Sequence, residues 1–145
     1  MSDRSHGVSR SPMHLLHLAE RVARRLFAAK AMGSITPRQL EILIAVSEQE
    51  GLSQNDLAKR TGIDRNTVGE IIVRLVRKGF LQRRRSRKDA RANVLHLTDE
   101  AQRLLAAHPV AQNIDALLLA ALPAAQREPF LDALQAIIRN LEAAR

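Results

Sequence analysis

Two short helix patterns joined by a glycine turn constrain this chain more than any other feature. Ser53 is placed to cap the first helix, and Asp56 stands at the third position where a capping residue reaches back. The turn at residues 61–63 contains a glycine, and Asp64 can cap a second helix over residues 65–78. The inward face of that second helix is apolar at helical spacing: Val68, Ile71, Ile72 and Leu75. The spacing predicts a helix–turn–helix.

The outer face of the second helix departs from an ordinary solvated surface. It consists of Asn66, Glu70, Val73 and Arg77. Gly69 stands inside the helix, where it costs about 1 kcal/mol relative to alanine. Both Val73 and Gly69 suit a face that enters a DNA major groove, because valine can touch a thymine methyl and glycine permits close approach. Tolerated surface variation is the alternative interpretation.

A pair of short strand patterns follows Gly79, at residues 80–83 and 93–97, with a basic segment between them. Six of the nine residues 83–91 are Lys or Arg. Their charges would repel each other strongly in a loop that binds no polyanion. A hairpin with a basic tip after a helix–turn–helix predicts a winged helix. We expect the tip to contact phosphates or the minor groove, with a solvated loop as the alternative. The basic residues of the tip that we assign to DNA are Arg84, Arg85, Arg87, Lys88 and Arg91.

Charge is concentrated in the same region. Residues 53–98 contain twelve Lys/Arg and four Asp/Glu, so this window carries +8, the net charge of the entire chain. A localised positive field is typical of nucleic-acid binding, although charge alone would also allow RNA or an anionic membrane. The absence of cysteine excludes disulfides, thiolate metal sites and thiol redox sensing. The polar first ten residues and the lack of a long apolar run predict a cytoplasmic protein without a membrane span.

The flanking segments are predicted to be helical and more apolar than one small domain requires. Ser11-Pro12 begins a helix that should fade near Met32-Gly33, and Thr98 caps a later one. Pro109 and Pro123 should mark joints in the C-terminal part, while Pro129 leaves the start of the last helix open. A segment that is apolar nearly all round needs a partner, and a second copy of the same chain is the simplest one.

The predicted fold is mainly α with a small β-hairpin wing (α+β). Residues 1–10 are expected to be a flexible tail and residues 11–33 a dimerisation helix. Residues 34–98 are expected to form the winged helix–turn–helix domain, and Thr36 is placed to cap its first helix, with Gln39 where a capping box needs Glu or Gln. Residues 99–145 are expected to form further dimerisation helices.

The run ITPRQLEILIAVSEQEGLSQNDLAKRTGIDRNTVGEIIVRLVRKGFLQRRRSRKDARANVLHLTDEA resembles the MarR family of bacterial transcription regulators (the multiple antibiotic resistance regulator type). Its most specific part is Asp89-x-Arg91, followed by Leu97-Thr98 at the end of the wing. The resemblance covers residues 36 to about 105. It implies a triangular homodimer whose first and last helices intertwine. Each recognition helix then enters one of two successive major grooves of a pseudo-palindromic operator.

The resemblance also implies roles for individual residues. In the recognition helix, the contacts to bases or phosphates fall on Arg65, Asn66, Thr67 and Gly69, and Arg74 lies near the DNA backbone. Ser53 and Gln54 would donate to phosphate from the start of the preceding helix. Arg91 would reach the minor groove, with Asp89 orienting it. Two departures stand out: Gly69 replaces the usual Ser or Thr, and the arginine-rich tip predicts a steep salt dependence of DNA binding.

The expected function is that of a homodimeric, sequence-specific transcriptional repressor. The resemblance implies release from DNA by a small anionic, often aromatic ligand, such as an aromatic acid or an acyl-CoA thioester. His14 and Arg25, at the edge of the apolar face of the first helix, are the candidate effector contacts. The alternatives are a constitutive or architectural DNA-binding protein of low specificity, and a winged helix that binds protein.

No combination of residues predicts an active site, so we expect a protein that is not an enzyme and uses no cofactor. His14 and His17 lie three residues apart on the first helix, a spacing that metal ligands can have. We interpret them as solvated helix residues and predict no metal site.

Overall fold

The computed structural model of the chain describes residues 8–29, 35–107 and 110–144. The chain divides into two compact units, one made of Met1–Leu26 with Ala111–Arg145 and the other of Phe27–Val110. The fold is mainly helical with one antiparallel hairpin, as predicted.

A 3₁₀ turn at Val8–Arg10 precedes the first long helix and lies within the segment predicted to be a tail. The helices are α1 (Pro12–Ala29), α2 (Pro37–Glu48), α3 (Gln54–Thr61), α4 (Arg65–Arg77), α5 (Asp99–Ala107), α6 (Val110–Ala120) and α7 (Ala124–Glu142). The strands are β1 (Leu81–Arg85) and β2 (Asn93–Leu97). The predicted fading of the first helix at residues 32–33 and the predicted break at Pro109 lie outside the described residues.

The second unit is a winged helix with one apolar core. Its largest fully buried side chains come from α2, α3, α4 and β1: Ile42, Leu43, Val46, Leu57, Val68, Ile72, Leu75 and Leu81. The inward face predicted for α4 is confirmed, because Val68, Ile71, Ile72 and Leu75 are all buried. The helix–turn–helix therefore packs against α2 and the hairpin through a continuous hydrophobic contact.

Side-chain caps fix the starts of the helices where the sequence predicts them. Thr36 and Gln39 form a complete capping box on α2, and Ser53 and Asp56 form another on α3. The carboxylate of Asp64 accepts from the backbone N–H of the third residue of α4. These contacts satisfy backbone donors that would otherwise lack a partner at each helix start.

Glycines end the two helices of the helix–turn–helix. Gly62 caps α3 at a φ of +68°, and Gly79 follows α4 at a φ of +79°. Both angles lie in the left-handed region, where a side chain is strained. The chain therefore turns sharply after each helix.

The hairpin is anchored on both sides of β2. On one side, Leu97 and Leu95 of β2 pair with Leu81 and Arg83 of β1. On the other side, Leu95 exchanges backbone hydrogen bonds with Gly51 and Leu52. β1 extends to residue 85, two residues beyond the predicted strand, because the ladder with β2 continues into the arginine run. The base of the wing is thus held by the connection between α2 and α3.

The first unit contains most of α1 together with α6 and α7, and it leaves large apolar side chains exposed. Ile114 is buried on α6, whereas α7 has no buried residue. The exposed apolar residues of this unit are Val8, Met13, Leu15, Leu16, Val22, Leu117, Phe130, Ile137, Ile138 and Leu141. Pro129 lies inside α7, one turn and a half after its start. Among the described helices, none has both the length and the apolar content that crossing a membrane requires.

Candidate nucleic-acid interface

The outer face of α4 is open to solvent. Asn66, Glu70, Val73 and Arg77 are exposed on the side opposite the core, and Arg65, Thr67 and Arg74 are exposed beside them. Val73 is 44% exposed, so this face presents an apolar side chain to solvent between its polar and charged residues. This face is available to a DNA groove, and it remains the predicted site of base contacts.

The starts of α3 and α4 each carry a carboxylate that is held by a hydroxyl. The Ser53 hydroxyl donates to Asp56 Oδ2 at 2.7 Å, and the Thr67 hydroxyl donates to Asp64. These bonds, with those from the backbone N–H of the same residues, lower the pKa of Asp56 and of Asp64. The hydroxyl protons of Ser53 and Thr67 are therefore engaged within the protein, and the Ser53 hydroxyl oxygen also accepts from the backbone N–H of Asp56 at 3.1 Å.

We expect acid to weaken the winged helix through these two caps. A carboxyl whose pKa is lowered by folding stabilises the folded state above its unfolded pKa of about 3.9, and this contribution disappears as the pH falls through the lower folded value. Urea unfolding followed at a series of pH values between about 6 and 2 should show the loss. Asp64→Asn is the control, because asparagine also caps helices but does not titrate. An identical pH dependence in wild type and Asp64→Asn would contradict the role of Asp64.

Gln54, the first residue of α3, crosses over α4. Its Nε2 donates to the carbonyl of Arg65 at 3.1 Å. A Cβ atom at Gly69 would lie 2.8 Å from the same Nε2, closer than real side chains approach each other. Packing within the protein therefore accounts for the glycine at position 69, because its missing side chain leaves room for the Gln54 amide. Neither interpretation made from the sequence, close approach of DNA or tolerated surface variation, included this contact with Gln54.

A shallow depression lies where α3, α4 and β1 meet. Gln54 contributes from α3 and Arg83 from β1. The wall from α4 consists of Gly69, Glu70, Val73, Arg74 and Arg77. Three guanidinium groups and one carboxylate give this surface a positive charge.

Arg83 is the one basic residue of this surface that the sequence prediction of DNA contacts omitted. It shares a face of the hairpin with Leu81 and Leu95, because side chains alternate along a strand and Arg83 pairs with Leu95. Leu81 and Leu95 are buried, so this face turns toward the core and toward α4. Arg84 belongs to the opposite face. The alternation of leucines at 81, 95 and 97 is the sequence signal that could have placed Arg83 and Arg84 on opposite faces of the hairpin.

The tip of the wing is folded by its own short side chains. The Ser86 hydroxyl accepts from the backbone N–H groups of Lys88 and Asp89. Asp89 Oδ1 accepts from the backbone N–H of Arg91 at 2.9 Å, so Asp89 shapes the backbone that carries Arg91. Arg85, Arg87, Lys88 and Arg91 are exposed around this turn.

The two candidate effector contacts lie on α1. His14 is half-buried and its backbone N–H faces the Ser11 hydroxyl, while Arg25 is exposed. Their assignment to an effector stays a prediction.

Comparisons with known proteins point to one family. The model of the MarR family matches residues 34–92. An uncharacterised HTH-type transcriptional regulator of Bacillus subtilis, YdgJ, is 30% identical over 118 residues, which span 79% of this chain and 72% of that protein.

Solved structures of similar proteins extend this match over nine-tenths or more of the chain. The PcaV transcriptional regulator of Streptomyces coelicolor, in complex with its natural ligand, is similar over 100% of both chains with a TM-score of 0.84 and 29% identity. BpsR of Bordetella bronchiseptica, whose DNA binding is regulated by 6-hydroxynicotinic acid, covers 91% of this chain and 96% of its own, with a TM-score of 0.83 and 26% identity. The winged helix, its exposed reading face and these relatives together identify the chain as a DNA-binding transcriptional regulator of the MarR family.

Proposed function

We propose that the protein is a homodimeric repressor that binds a pseudo-palindromic operator. The observation that carries this proposal is the exposed outer face of α4 beside a basic wing, in a unit whose core holds both in place. The face offers groups that can read base edges, and the arginines of the wing offer phosphate and minor-groove contacts.

A second copy of the chain is proposed to cover the apolar surface of the first unit. Exposed residues such as Leu16, Ile138 and Leu141 recur along α1 and α7. Apolar surface of this extent is typical of an interface. In a two-fold dimer the two α4 helices would read half-sites separated by about one turn of DNA.

DNase I footprinting on the promoter of the gene itself tests operator binding. Protection of two half-sites about one turn apart is expected. Arg91→Ala should weaken operator affinity by roughly 5- to 150-fold, the range for losing one specific contact. Arg60→Ala is the matched control, because the Arg60 guanidinium already lies 2.6 Å from Glu48 and its loss removes the same charge. Equal effects of the two substitutions would contradict a contact made by Arg91.

A DNA-binding protein of low specificity is the second candidate function. The arginine-rich hairpin favours it, because phosphate contacts carry no sequence information. Equal affinity for the operator and for a random duplex at physiological salt would establish this alternative.

We also propose that an aromatic acid or acyl-CoA thioester releases the operator. Support comes from PcaV and BpsR, similar proteins described with a natural ligand and with 6-hydroxynicotinic acid, respectively. An anionic ligand needs a cation, and His14 and Arg25 are the proposed contacts on α1. Titration of the protein–operator complex with a panel of such compounds should identify one that dissociates it. His14→Ala or Arg25→Ala should raise the concentration required. Protection that no compound relieves would contradict regulation by these ligand classes.

A further inference from the structure

The depression between α3, α4 and β1 gathers unneutralised positive charge. Arg74, Arg77 and Arg83 surround it, with Glu70 as the one carboxylate of its wall. Within the part of the chain that the structure describes, none of these three guanidinium groups forms an ion pair. Like charges held together repel each other, and a bound anion removes this repulsion.

Gln54 adds a neutral donor in a fixed position. One N–H of its amide donates to the Arg65 carbonyl, and this hydrogen bond holds the side chain over α4. The second N–H of the amide can donate to a ligand. The space for this arrangement exists because residue 69 has no side chain. The donors around the depression therefore come from three separate elements of the fold.

We propose that this depression binds a single backbone phosphate of the operator. Gln54 and Arg83 donate to the phosphate oxygens together with the arginines of α4, and Gly69 is a positioning residue that keeps Gln54 in place. Guanidinium and amide donors suit phosphate oxygens, and an open depression can accept a group that projects from a DNA strand. The wing and the recognition helix would then both bind the DNA backbone at this one phosphate. This inference rests on the proposed operator binding.

Operators in which one phosphate at a time is replaced by a neutral methylphosphonate test the inference. For the wild type, one position in each half-site should weaken binding about tenfold. The same position should cause little further loss in Arg83→Ala and in Gln54→Ala, because the interaction is already absent. Arg83→Ala should also reduce the slope of log K against log salt by about 0.9. Arg84→Ala, on the opposite face of the same strand, is the control and should keep the full loss at that position.

Gly69→Ala separates positioning from direct contact with DNA. Alanine favours a helix more than glycine, and the atom it would meet is the end of a flexible side chain, so the melting temperature should not fall. Operator affinity should nevertheless decrease, and the dependence on Gln54 should disappear while that on Arg83 remains. In the Gln54→Ala background, adding Gly69→Ala should have no further effect on affinity. A loss that persists in that background would show that Gly69 serves the approach of DNA itself, and the positioning role would be wrong.

The possible failures are distinguishable. If wild type binds the operator but Arg83 and Gln54 depend on different phosphates, or on none, the shared phosphate site is wrong and operator binding stands. If wild type binds no duplex even at low salt, the proposed function is overturned and the phosphate site with it.

Discussion

Leu75→Ala is expected to destabilise the winged helix by about 2–5 kcal/mol, the range for truncating a fully buried leucine. Leu75 has no exposed surface and lies at the centre of the contact between α4 and the rest of the core. The loss combines the transfer of apolar atoms out of water with the cavity they leave. Urea unfolding at neutral pH would measure it.

Val73→Ala is the matched control for this substitution. Val73 is two residues away on the same helix and 44% exposed, so its truncation should change the free energy of unfolding by no more than about 0.5 kcal/mol. It should still weaken operator binding, since we assign Val73 to the reading face. If Leu75→Ala unfolds no more readily than Val73→Ala, the orientation of α4 described above is wrong.

Charging the exposed apolar surface of α7 is expected to have the largest effect on DNA binding. Ile138 is 55% exposed and Leu141 is 66% exposed. In the proposed dimer both are covered, so the double variant Ile138→Glu/Leu141→Glu would bury two unpaired carboxylates in each protomer. The dimer should dissociate to monomers. Operator affinity should then fall by roughly 10²–10⁴-fold, because the two half-sites are no longer bound together.

Analytical ultracentrifugation and operator titration of the same samples would measure both effects. Gln135→Glu adds a negative charge to a polar position of the same helix and should leave the mass and the affinity unchanged. A double variant that remains dimeric would place the interface elsewhere. A wild-type protein that is monomeric at micromolar concentration would contradict the dimer.

The sequence predicts the parts of this fold that depend on local chemistry. A capping residue and the backbone groups it bonds lie within four positions of each other in the sequence. Thr36, Ser53 and Asp64 therefore indicate the starts of their helices correctly. The buried face of α4 follows from the spacing of apolar residues. Membership of the MarR family follows from the same stretch together with the wing motif.

Contacts between residues that are distant in the sequence could not be predicted from local sequence patterns. Gln54 and Gly69 are fifteen positions apart, and only the packing of α3 on α4 shows that one makes room for the other. Arg83 and Arg84 look equivalent in a run of arginines, and strand pairing alone places them on opposite faces. The strand itself was predicted too short because arginines give no apolar alternation to follow.

The fold of the wing tip does not depend on its arginines, so the strength of DNA binding can vary while the hairpin keeps its shape. Ser86 and Asp89 fix the turn by accepting from backbone N–H groups, and the charged side-chain groups of the neighbouring Lys and Arg residues form none of these hydrogen bonds. Arginines such as Arg85 and Arg87 can therefore be gained or lost one at a time without changing the shape of the hairpin. Each change would move the salt concentration at which DNA is released, so related regulators could be adjusted to different ionic strengths while they read the same bases.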